Sequence, residues 1–226
     1  MVSNGSEHAA PPGPRAEPGP RDQDLLPASA ERSVKIAVVG GFGAGKTTLV
    51  GSVSEIRPLT TEETMTRDSV GVDDLAGVAD KTETTVAMDF GRITIDARLV
   101  LYLFGTPGQQ RFWFLWNGIL EGALGAVVLV DSRRLADCFP SMDRLEEDGI
   151  PFVVAVNVFP DSAPHPPEEL RAALDLPGHV PLIACDARRR ASGRDVLLTL
   201  LRHLYDSATT VPVPDHPSPD HPSEAP

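Results

Sequence analysis

Eight residues constrain this chain more than any others. They are Gly40-Gly-Phe-Gly-Ala-Gly45-Lys46-Thr47, and they fit the pattern G-x-x-x-x-G-K-[ST] throughout. The run in front, Val34 to Val39, is rich in β-branched residues and reads as a buried strand. The residues behind, Lys46 to Glu55, read as a helix. Strand, glycine-rich turn and helix start are the context that gives the pattern its chemistry. Small residues let the backbone curl so that several N–H groups point inward at phosphate oxygens. The helix start adds free amides and the positive end of its dipole. Lys46 sets a cation beside the β- and γ-phosphates, and Thr47 offers a hydroxyl to Mg²⁺. Gly40, Gly43, Ala44, Gly45, Lys46, Thr47 and Thr48 are therefore candidate binding residues for a nucleoside triphosphate. The pattern specifies neither the base nor the rate of hydrolysis.

The rest of the body alternates between strand and helix signals. Strands are expected at Thr85 to Phe90 and Ile93 to Phe104, joined at Gly91-Arg92, and then at Ala126 to Val130, Pro151 to Asn157 and Val180 to Ala184. Helices are expected at Asp137 to Glu147, Pro167 to Leu174 and Asp195 to Tyr205. Residues 57–82 read as a long polar connection. The alternation implies an α/β fold of the P-loop NTPase class: a mostly parallel sheet with helices on both faces. Proline places the boundaries. Of 22 prolines, six lie in residues 1–30 and six in residues 206–226. Both segments read as disordered Pro-rich tails, the second acidic, around one domain over residues 31–205.

Composition excludes several function classes. The longest apolar runs, Ala123 to Val130 and Ile150 to Val158, are too short to span a bilayer as a helix. The N-terminus lacks the basic start and apolar run of a secretory signal. Cys138 and Cys185 form neither a disulfide framework nor a zinc site. A cytoplasmic location is the expectation. A net charge of -12 argues against nucleic acid or an anionic membrane as a non-specific partner. It leaves room for a polyphosphate held by local amides.

Together with Gly105-Thr-Pro-Gly108-Gln109 directly after a buried strand, and Asp131-Ser-Arg133 after the next, the phosphate loop carries a resemblance. From Ser33 to Tyr205 the chain resembles the Ras-like small GTPases. Within them it is most similar to the bacterial gliding and polarity group, and especially to actinobacterial ATP/GTP-binding proteins encoded in conserved operons. The resemblance implies a GTP-binding molecular switch in bacterial signalling or polarity, with slow hydrolysis of GTP to GDP and phosphate. Gly108 matches the glycine that senses the γ-phosphate, and Gln109 the glutamine that orients the attacking water. Thr85 matches the Mg²⁺-sensing threonine when Asp89-Phe90 sets the alignment, with Thr84 as the alternative. The metal ligands would then be Thr47 and Thr85. The base would meet Asn157, Asp161, Ala187 and Arg188. The implied partners are a roadblock-domain regulator and sensor-kinase-like proteins, with membrane association only through them.

The chain also departs from that pattern. Gly105 stands where relatives have an aspartate, Phe42 where they have a glycine close to the γ-phosphate, and Val158 and Pro160 where they have lysine and aspartate. A bulky Phe42 is expected to crowd the catalytic glutamine or an arginine from a partner. These departures keep a non-hydrolysing, nucleotide-dependent scaffold open as an alternative, and a P-loop kinase behind it. In Arg111-Phe-Trp-Phe-Leu-Trp116, Phe112 and Trp116 read as core and Trp113 as a partner contact. Arg133 and Arg134 read as surface arginines.

Overall fold

The structure is a computed structural model, and it describes residues 31–57, 59–65, 84–108 and 110–210. Gln109, the N-terminal tail and the chain after Thr210 lie outside the described residues.

Among the described residues, seven strands form one sheet in the order β2-β3-β4-β1-β5-β6-β7. They are β1 (Arg32–Val39), β2 (Leu59–Met65), β3 (Thr84–Thr94), β4 (Leu99–Gly105), β5 (Gly125–Asp131), β6 (Phe152–Asn157) and β7 (Leu182–Cys185). Strands β4, β1, β5, β6 and β7 run parallel, and β2 and β3 are antiparallel to their neighbours. The central strands are apolar because both of their faces are covered: every residue of β5 and β6 is buried.

Alternation along β1 sorts the two cores. Ile36 and Val38 point to one face, where Leu49, Val50 and Val53 of α1 (Lys46–Val53) meet Val196, Leu197 and Leu200 of α5 (Arg190–Thr210). Ala37 and Val39 point to the other. There α2 (Trp116–Leu120), α3 (Phe139–Glu147) and α4 (Pro167–Ala173) supply Trp116, Ile119, Met142, Leu145 and Leu170. Burying such side chains contributes about 1.5–3 kcal/mol each. No helix among the described residues is long and apolar enough to cross a membrane.

Three expectations need correction. The β3–β4 turn falls at Ile95–Arg98, where Asp96 Oδ1 accepts from the N–H groups of Arg98 and Leu99. Gly91 is not a turn residue. It lies within β3, and a Cβ there would stand 2.8 Å from Val50 of α1. The glycine serves close packing of helix on sheet. The polar connection after α1 contains an edge strand, β2, whose ladder partner is β3. Its polar sequence, Leu-Thr-Thr-Glu-Glu-Thr-Met, hides it from a search for apolar runs. Finally, α5 begins five residues before Asp195 and continues to Thr210, past the expected boundary at Tyr205.

Candidate functional site

The C-terminal ends of β1, β4, β5, β6 and β7 share one edge of the sheet, because their registers align Val38 with Gly105, Asp131 with Asn157 and Asn157 with Cys185. The phosphate loop leaves β1 at this edge. Gly40, Gly43 and Gly45 take φ values of +137°, +76° and +104°. Those left-handed torsions favour glycine and fold the loop back over the start of α1. The first helical bond of α1 runs from the Leu49 N–H to the Gly45 carbonyl, at 2.8 Å. The N–H groups of Lys46, Thr47 and Thr48 precede it and are left for another acceptor. Ala44 is buried, and Thr47 and Thr48 are exposed on the first turn. Lys46 is 7% exposed, and its ammonium donates to the carbonyls of Gly40 at 2.9 Å and Gly41 at 2.7 Å. Burial pulls its pKa down to about 8, and the nearby Asp89 carboxylate partly opposes this.

Asp89 is the residue that sequence reasoning missed. It is buried in β3 and paired with Gly105 of β4. The Thr47 hydroxyl donates to Asp89 Oδ2 at 2.6 Å, while Asp89 Oδ1 is buried with no hydrogen-bond partner among the described residues. Gly105 makes this possible, since a Cβ on it would stand 3.0 Å from that carboxylate. The carboxylate absent from the end of β4 is thus supplied by the neighbouring strand. The available signal was an acid inside the apolar stretch Val86-Ala-Met-Asp89-Phe90. The expected metal residue Thr85 lies elsewhere. It pairs with Thr64 of β2, four residues from Asp89, or roughly 13 Å along an extended strand. The antiparallel ladder therefore brings Asp89, not Thr85, to Thr47.

Gly108 lies against the phosphate loop. A Cβ on it would stand 2.7 Å from Lys46 Nζ and 2.8 Å from the backbone N and Cα of Phe42. Lys46, Phe42 and the backbone of Gly108 therefore converge on one spot. The Phe42 side chain is 64% exposed, so its backbone, not its ring, faces this spot. Gln109, the glutamine expected beside that ring, lies outside the described residues. Trp116 and Phe112 are buried as expected, and the Trp116 indole N–H donates to the Pro107 carbonyl at 3.3 Å. Phe114 is 53% exposed, and the Trp113 side chain lies outside the described residues.

The groups expected at the base engage one another. The Asn157 amide donates to the Ala44 carbonyl at 2.9 Å and accepts from the Ala187 N–H at 3.0 Å. It staples the phosphate loop to the loop after β7, and it occupies the Ala187 N–H. Both oxygens of Asp161 accept from Arg133, at 2.6 and 2.7 Å, and this holds its carboxyl below the usual carboxylate range. Arg133 also grips the buried Asp131 and lies 3.9 Å from the Phe159 ring centroid. Arg188 pairs with Asp186 at 2.8 Å. Arg134 is not a bystander on the surface, because it donates to the Phe42 carbonyl at 2.9 Å.

Among the described residues no cluster of three or more His, Cys, Asp or Glu side chains forms a metal site of its own. An ion here would have to share its coordination with a ligand. The arrangement has a cradle of backbone amides, a buried lysine, and a threonine hydroxyl beside a half-satisfied carboxylate. It is suited to a nucleotide polyphosphate.

Comparison with known proteins agrees. The family described as conserved hypothetical ATP binding proteins matches residues 38–207. An uncharacterized protein of Methanocaldococcus jannaschii is 29% identical over 126 residues, which make up 55% of this chain and 69% of that protein. An elongation factor G-like protein of Synechocystis is 30% identical over 150 residues, 66% of this chain but 22% of that protein. The family match takes in both the phosphate loop and the Asn157–Ala187 staple, and the chain therefore belongs to this family of conserved hypothetical ATP-binding proteins, as a nucleotide-binding protein of the P-loop type.

Proposed function

We infer that the chain is a nucleotide-dependent molecular switch that hydrolyses its triphosphate slowly, with GTP as the ligand. One observation carries the switch: the backbone of Gly108 lies against Lys46 and Phe42, where a terminal phosphate would sit. A Gly108 N–H that bonds the γ-phosphate and loses it on hydrolysis couples ligand state to the segment behind it. That segment runs through Pro107, whose carbonyl holds Trp116, to the exposed Phe114. It is the surface on which a roadblock-domain regulator would dock, and sensor-kinase-like partners belong to the same proposal.

The phosphates would lie on the amides of residues 43–48, with Lys46 leaving the Gly40 and Gly41 carbonyls for their oxygens. Mg²⁺ fits beside them because Asp89 Oδ1 has no partner among the described residues and Thr47 adjoins it. Thr47 and Asp89 would hold the ion, which would neutralise charge on the phosphate oxygens. Gln109 would orient the attacking water.

Guanine rests on the family resemblance and requires Asp161 to exchange Arg133 for the base edge. One observation favours adenine instead: the carboxylates near the base, Asp161 and Asp186, are both already paired with arginines. Calorimetric titration of nucleotide-free protein with GTP, GDP and ATP, each with Mg²⁺, decides between them. Tight GTP and GDP binding supports the proposal. Tight ATP binding without GTP binding overturns the base assignment, and no binding at all overturns the switch.

A further inference from the structure

The function proposed above leaves one charged group at the phosphate loop unused. Arg134 follows β5 and reaches back across the sheet edge. Its Nη2 donates to the Phe42 carbonyl at 2.9 Å and would stand 3.2 Å from a Cβ on Gly43. Phe42 is the residue whose backbone meets Gly108 and, with it, Lys46. A second cation therefore rests on the rim of the spot where the terminal phosphate would lie.

Its other contacts leave it free to turn. Arg133 occupies both oxygens of Asp131 at 2.7–2.8 Å, so Arg134 keeps only a 3.5 Å contact there. Its approach to Asp137 is longer still, at 3.7 Å. The side chain is 48% exposed, and a guanidinium has five N–H donors in a planar fork. The Asp137 N–H donates to the Arg134 carbonyl at 3.1 Å, and Asp137 packs beside Gly41, where a Cβ would stand 2.6 Å from the Asp137 Cβ, so the turn that carries this arm lies against the loop. The guanidinium is held at its tip by one loop carbonyl and has only long contacts to carboxylates.

We propose that Arg134 is a built-in phosphate-contacting arginine, which bonds the terminal phosphate oxygens of a bound nucleoside triphosphate and stabilises the charge that develops as the phosphoryl group leaves. In that step the oxygen of water bonds to the γ-phosphorus, and the bond from that phosphorus to the β–γ bridging oxygen breaks. The electron pair stays with the nucleoside diphosphate, and the proton from water ends on the released phosphate. Arg134 donates hydrogen bonds to oxygens that gain charge, so its contribution is larger in the transition state than with diphosphate bound.

The proposal rests on triphosphate binding as read above, and the experiment separates the two. Single-turnover hydrolysis and the affinities for GTP, GDP, ATP and ADP are measured on the wild type, Arg134→Ala and Arg134→Lys. Formation of the diphosphate–aluminium fluoride complex, which mimics the transferring phosphoryl group, is measured beside them. Arginines in this role contribute roughly 10³–10⁵ in rate. Arg134→Ala is expected to slow hydrolysis at least about 100-fold and to lose the aluminium fluoride complex, with diphosphate affinity within about threefold of wild type. Arg134→Lys, which keeps the charge without the fork, is expected to recover less than about a tenth of the loss. A wild-type rate in Arg134→Ala overturns the proposal, as does an equal loss of diphosphate and triphosphate binding, which would mark a purely structural clasp. A wild type that forms no aluminium fluoride complex also overturns it. A wild type that binds no nucleotide overturns the reading beneath it.

Discussion

The two ends of the site are built on different principles. The phosphate end is made of backbone torsions and buried side chains. Three glycines have positive φ, Lys46 is buried, and the half-satisfied Asp89 lies behind Thr47. Charged groups are costly to bury, and these are retained where a ligand of opposite charge or an ion would complete them. The base end is made of exposed arginine–carboxylate pairs, Arg133–Asp161 and Arg188–Asp186, and of one buried amide, Asn157, whose contacts are internal. Exposed pairs hold each other weakly and exchange readily. The contrast teaches that this fold is preorganised for a polyphosphate, while the side chains proposed to meet the base would have to change partners to do so.

The largest expected effect comes from breaking the phosphate end. Lys46→Met should weaken binding of every triphosphate by at least about 100-fold, measured by titration, because it removes the buried cation. The same variant tests the buried charge without ligand. In the folded protein the Lys46 pKa lies at about 8, below its ordinary value of 10.5, so between these limits the unfolded chain binds more protons than the folded one. Stability of the nucleotide-free wild type should therefore rise relative to Lys46→Met as pH climbs from 8 to 10.5, by roughly 3 kcal/mol. Denaturant melts at pH 7.5 and 10 check this, and parallel curves for the two proteins would show that Lys46 is not a strained charge.

A smaller effect sharpens the role of the missed carboxylate. Asp89→Asn keeps the shape and an acceptor for Thr47 but removes the charge. The Mg²⁺ concentration needed for half-maximal triphosphate binding should rise at least about 10- to 100-fold, the range for groups that only support a metal ligand. Binding without Mg²⁺ should change little. An unchanged Mg²⁺ requirement would return the metal site to residues elsewhere in the chain.

The smallest effect lies at the base end. Asp161→Ala should lower GTP affinity about tenfold and leave ATP affinity alone, if Asp161 leaves Arg133 for the guanine edge. Fold stability should not change measurably, because the pair is exposed. Equal affinities before and after would keep Asp161 as a surface partner of Arg133 and leave the phosphate end untouched.

Legibility in the sequence follows the same division. Val34–Val39, Ala126–Val130 and Pro151–Asn157 announced themselves as strands because parallel strands covered on both faces need unbroken apolar runs. The edge strand β2 did not, because its sequence is polar and contains no apolar run. The Gly91-Arg92 pair misled for a related reason: a glycine that admits a helix looks, in one dimension, like a glycine that turns the chain. At the site, Lys46, Thr47 and Gly108 stood out as candidates because the motifs that name them are short runs of neighbours in sequence.

By itself, then, the sequence determined the phosphate loop, the parallel core behind it and the ligand class, all products of short-range pattern. Only the tertiary structure decided which carboxylate stands beside Thr47. Asp89 reaches it because β3 runs antiparallel to β4 in a register that sets it opposite a side-chain-free Gly105. Only the tertiary structure laid Arg134 on Phe42, 92 residues away, and closed Arg133 on Asp161. Such contacts depend on how distant strands align, and no local spacing in the chain records that alignment.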